Sequence, residues 1–190
     1  MHGIEYATTI IQARGNKSYV EIEAMGKKII QAYDGNIAWE VMPLEGIMTP
    51  TRMSTESTIE FSEQIFLSEF IDTEARGFRL QAVQGREFSG ISTYGVRVTN
   101  AAGYDRTYYF DMEYIIPIMV AAPIKAGPQR GRMTETYLSS YDQVRGGNTG
   151  SVFLPFAMEI TLNGEILQQI HLEQITLNPR ISASIFSMPR

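Results

Sequence analysis

The run from Phe156 to Pro179 constrains this chain more than any other stretch. Alternating apolar and polar residues lie on both sides of an Asn163-Gly164 dipeptide. Asn-Gly tolerates positive φ at both central positions of a two-residue loop, so the pattern predicts a β-hairpin with a tight primed turn. Both strands are amphipathic, and nothing between them could host catalysis. A chain built mainly of such ribbons encloses or covers something apolar.

The rest of the chain repeats the theme. Residues 7–14 end at Gly15-Asn16, and residues 19–25 follow with Val20, Ile22 and Ala24 on one face. Residues 28–33 lead through Asp34-Gly35 into 36–42, where Ile37, Trp39 and Val41 share a face. From Pro43 to Pro50 the alternation dissolves, and a loop is expected. Ser54-Thr-Glu-Ser57 then reads as a helix start, with hydroxyls for the first free N–H groups and an acid at the positive end of the dipole. One or two short helices are expected between about Ser54 and Arg76, stopped by Gly77, as a lid over something apolar.

Strands resume at 78–84, 92–99, 104–111, 114–122 and 133–141. Pro117 makes the fourth of these an edge strand or a bulged one. Gln143 to Ser151, with Gly146-Gly147-Asn148, reads as a flexible loop. About ten strands and little helix make 190 residues one mainly β domain.

Composition removes whole classes of function. The chain has no cysteine, which excludes disulfides, thiolate catalysis and cysteine zinc sites. With His2 and His171 as the only histidines, a histidine-rich metal site or a serine-type triad has too few members. A net charge of −5 argues against nucleic acid as a partner, because phosphate binding needs a basic face. No phosphate-binding or hydrolase motif occurs, and Gly85-Arg-Glu-Phe-Ser-Gly90 lies between strands and reads as a connection. No stretch approaches the ~20 apolar residues of a membrane span. Neither a catalytic residue, a metal site nor a cofactor is expected. The ten methionines fill cores in most proteins, and they also suit surfaces that adapt to apolar ligands.

A set of segments, in order along the chain, resembles the outer-membrane lipoprotein-sorting proteins, the LolA-like family. It begins with Tyr33-Asp-Gly-Asn-Ile-Ala-Trp39 and Pro43-Leu-Glu-Gly46, then Met53-Ser-Thr-Glu56 at the start of the helical insert. Thr107-Tyr-Tyr-Phe-Asp111, Thr136-Tyr-Leu-Ser-Ser-Tyr141 and Leu154-Pro-Phe156 continue it. Asn163-Gly164, Ile175-Thr-Leu-Asn-Pro179 and Phe186-Ser-Met-Pro189 complete it. Ser140 stands where the family often has Asp, and the loop from Gly146 to Ser151 reads as an insertion. The chain is also expected to begin after the family's signal, first helix and first strand.

The resemblance implies a strongly curved antiparallel sheet, a half-barrel, with short helices covering its concave face. It implies an apolar groove for lipid or lipoprotein acyl chains, a periplasmic location, peripheral rather than integral membrane association, and no enzymatic activity. Candidate groove residues are Trp39, Val41, Ile65, Phe66, Phe70, Val96, Val98, Phe110, Met158 and Ile160. Trp39 is expected where the sheet meets the lid; alternation alone leaves open which strand faces line the groove. An exposed groove calls for a ligand, a partner chain or a second copy to cover it. The alternative function is an envelope sensor or interaction module that binds a protein or peptide with the same fold.

Overall fold

The computed structural model describes residues 4–62, 69–101, 103–125, 127–146 and 150–189. They contain thirteen strands and one α-helix, so the chain is mainly β, and every strand pairing is antiparallel. Two compact units share the chain: residues 1–68 with 180–190, and residues 69–179. Each holds one open sheet.

In the first unit, β1 (Ala7–Ala13), β2 (Lys17–Ala24), β3 (Lys27–Tyr33), β4 (Ala38–Met42) and β5 (Ile47–Arg52) form a meander in sequence order. The β3–β4 turn is organised by Asp34, whose Oδ1 accepts the N–H groups of Asn36 and Ile37 at 2.9 and 2.8 Å. Gly35 packs so closely on the β1–β2 turn that a Cβ there would meet Gly15 O at 2.8 Å. The expected loop at 43–50 is a correction. A 3₁₀ turn at Pro43–Glu45 leads into strand β5, which escaped notice because Pro50 interrupts its pattern. Since β5 pairs with β4 alone, Pro50 sits on a sheet edge, where a missing N–H is tolerated.

Both faces of this sheet are covered. On one, Tyr19, Ala32 and Trp39 pack with Phe186 from the C-terminal 3₁₀ turn Ala183–Phe186. On the other, Ala38 packs with Met53 and with Phe61 of α1 (Thr55–Ser62). Ser54 starts this helix as its sequence predicts, its Oγ accepting the Ser57 N–H at 3.0 Å.

The second unit contains β6 (Arg79–Val83), the two-residue β7 (Glu87–Phe88), β8 (Ile91–Thr99), β9 (Asp105–Asp111), β10 (Pro117–Pro123), β11 (Met133–Arg145), β12 (Ser151–Leu162) and β13 (Glu165–His171). The path runs β13-β12-β11-β10-β9-β8-β6, with β7 on β8. Asn163 and Gly164 adopt φ of 53° and 81° between β12 and β13, the primed turn their identities predict. Pro117 begins β10 beside a bulge, as its chemistry demands. The strands β11 and β12 extend to Arg145 and from Ser151, which shortens the expected 143–151 loop. The segment expected as one lid, 54–76, is shared: α1 belongs to the first unit, and residues 69–77 form turns in the second.

Candidate ligand-binding face

Strand register fixes what alternation could not. Leu80 lies opposite Val98 and Ala82 opposite Val96; Val96 lies opposite Tyr108, and Tyr94 opposite Phe110. Tyr108 pairs with Val120, Val120 with Thr136, and Thr136 with Ile160. Leu138 pairs with Met158, and Met158 with Ile170. Directly opposed residues share a sheet face. One apolar face therefore runs across the eight-stranded sheet from β6 to β13, most of it half-buried, with Val98 only 2% exposed. Val96, Val98, Phe110, Met158 and Ile160 all lie on it. Phe70 joins them from the preceding turns, its ring edge-on to Tyr108 at 5.0 Å and to Phe110 at 5.2 Å.

The opposite face of the same sheet is covered over β9–β11 by the excursion between β6 and β8, and is open over β12 and β13, where Gln169 and His171 are exposed. Phe88 packs edge-on against Tyr109 at 5.4 Å and Tyr137 at 6.2 Å, over Met119 and Ala121. The Arg86 guanidinium lies over the Phe88 and Tyr109 rings, 5.0 and 5.4 Å from their centroids, and pairs with Glu135 at 2.9 Å. Thr93 Oγ1 stitches the excursion down, accepting the Arg86 N–H at 3.0 Å and donating to Arg86 O at 2.6 Å. Only glycine fits at 85, where a Cβ would lie 1.8 Å from Thr93 O.

A polar cluster sits within the apolar face. Glu69 is 2% exposed; Arg106 Nε approaches its Oε1 at 3.3 Å, and the Tyr108 hydroxyl donates to its Oε2. Burial and the neighbouring carboxylate push the Tyr108 phenol well above its ordinary range. The Thr73 hydroxyl donates to Glu69 O at 3.0 Å, so the cluster ties the turns at 69–77 to β9. Sequence reasoning missed it. The available signal was an acid, Glu69, beside Phe70 and Ile71, and a basic residue, Arg106, two positions before Tyr108 on one strand face.

The remaining candidates separate. Ile65 and Phe66 lie outside the described residues. Trp39 and Val41 belong to the first unit and pack on the core of its C-terminal segment. Trp39 is 4% exposed, and its Nε1 donates to Phe186 O at 2.9 Å. The expectation that Trp39 sits where sheet meets lid is corrected for a simple reason. Its neighbour Ala38 faces Phe61 of α1, and alternation turns Trp39 to the other face.

No family model matches the sequence, and no curated protein matches it either. Solved structures do. A LolA superfamily protein from Nitrosomonas europaea superposes with a TM-score of 0.63 at 14% identity, over 96% of this chain and 81% of its own. A DUF1329 family protein from Desulfovibrio piger gives a TM-score of 0.57 at 13% identity, over 95% and 79%. A Vibrio parahaemolyticus domain assigned to the outer membrane lipoprotein-sorting proteins gives 0.52 at 12% identity, over 91% and 79%. The fold is LolA-like. The sequence resemblance and the structural likeness thus agree on architecture, and a LolA-like sheet is the frame that carries the apolar face.

Proposed function

We propose that this chain is a non-catalytic carrier that holds lipid or lipoprotein acyl chains against the apolar face of its eight-stranded sheet, and that it works in the periplasm. The observation that carries the reading is the gathering of Phe70, Val96, Val98, Phe110, Met158 and Ile160 on one apolar, mostly half-buried face, while the other face is covered over β9–β11 by Phe88 and Arg86 and carries Glu159, Gln169 and His171 over β12 and β13. The likeness to a LolA superfamily protein and to an outer membrane lipoprotein-sorting domain favours a lipoprotein-related ligand over other apolar molecules. Binding draws on burial at about 0.8 kcal/mol per methylene, so affinity follows chain length and tolerates varied headgroups.

The test is solvent extraction of the purified protein with lipid mass spectrometry, followed by titration with saturated fatty acids of increasing length. Copurified acyl lipids and a Kd that tightens about fourfold per added methylene are expected. A protein free of lipid, with no binding at any chain length, would overturn the carrier and favour the sensor or interaction module.

A further inference from the structure

The connection between β9 and β10 displays three large apolar side chains in one five-residue stretch. It reads Met112-Glu-Tyr-Ile-Ile116, and Met112, Tyr114 and Ile115 are 45%, 67% and 58% exposed. The turn is tightly organised. Asp111, 9% exposed, accepts the N–H groups of Glu113 at 2.6 Å and Tyr114 at 2.9 Å through Oδ1. The Ile115 N–H returns to Asp111 O at 3.0 Å, and the Met112 N–H bonds Ser92 O at 3.2 Å.

This arrangement holds Ile115 at φ 57°, in the left-handed region, where a β-branched residue is strained. Comparable positions at Gly103 and Gly164 carry glycine, with φ of 82° and 81°. Stability alone would select Gly or Asn at 115. A strained residue kept on display points to a use for the side chain.

We propose that this turn inserts into the interfacial layer of a lipid bilayer. A stable protein interface needs roughly 800 Å² and 20–30 residues per partner, far more than the three exposed side chains of one tight turn. A bilayer accepts single apolar and aromatic side chains, each adding its own burial. The turn's one charged residue, Glu113, gives it no attraction to anionic lipid, so the expected target is a neutral surface. The inference concerns a different part of the unit from the apolar face and does not depend on it: acyl-chain binding and vesicle binding fail separately.

The experiment is flotation of the whole protein with phosphatidylcholine vesicles, beside Ile115→Asn and Tyr114→Ser. The unaltered protein is expected to float, with partitioning insensitive to salt, and each variant to partition about tenfold less. Ile115→Asn should melt no lower than the parent, because it relieves the strain; a purely structural role would not combine lost binding with retained stability. A parent protein that stays with the aqueous phase overturns the proposal and assigns the turn to a protein partner. An Ile115→Asn variant that floats as well as the parent overturns it too.

Discussion

The two units use the same material, antiparallel ribbons of alternating side chains, to opposite ends. The five-stranded sheet is covered by its own chain on both sides, by Phe186 on one face and by Met53 and Phe61 on the other. The eight-stranded sheet covers one face only in part, with Phe88 over β9–β11, and leaves the other half-buried along most of its width. An amphipathic strand thus does not by itself distinguish a core from a ligand wall. What covers the face decides, and the covering segments lie outside the strands they cover, as far as 147 residues away for Phe186 and Trp39.

The difference is broken most forcefully at Phe186. Phe186→Ala removes the buried ring over Trp39 and Ala32, and a loss of about 3–5 kcal/mol is expected in denaturant titration. The polar near-isostere Val96→Thr, on the half-buried face of the other sheet, should cost under about 1.5 kcal/mol in the same assay yet weaken acyl-chain binding several-fold. Equal losses of stability at both sites would erase the contrast.

A milder probe is alkali. Burial, then the hydrogen bond to Glu21, raises the Tyr19 phenol from its ordinary 10.0 to about 12, and burial also raises Tyr108 and Tyr141. Each favours the protonated form in the folded state, so its contribution is whole below pH 10 and disappears as pH climbs through the raised values. The part of the tyrosinate absorbance that belongs to these three phenols should therefore rise together with unfolding above pH 10, rather than in the folded protein. The smallest effect belongs to the hairpin at Asn163. Asn163→Ala forces a residue without αL preference to φ 53°, and about 1 kcal/mol should be lost without any change in ligand binding.

Much of this was legible in the sequence. Turn chemistry marked the ribbons, because Asn163-Gly164 and Asp34-Gly35 admit positive φ and Pro117 removes a donor locally. Ser54 marked a helix start for the same local reason. The site was legible only in part. Val96 and Val98 stand two residues apart on one strand and so share a face, but which residues of the neighbouring strands stand on that face depends on register, and bulges at Pro117/Met119 and Ile160/Thr161 shift it. Trp39 was misplaced because one residue's difference in parity exchanges faces, and the segment that covers it arrives 147 residues later. β5 was hidden by a proline that only an edge strand tolerates. The Glu69, Arg106 and Tyr108 cluster joins residues up to 39 apart in sequence, and no local rule brings them together.

The most direct measurement is photo-crosslinking with a diazirine-bearing fatty acid, mapped by peptide mass spectrometry. Labels are expected on Val96, Phe110, Met158 and their neighbours on the half-buried face of the eight-stranded sheet. Labels on Tyr109, Tyr137 or the Trp39 core, or an absence of labelling at saturating ligand, would contradict the account.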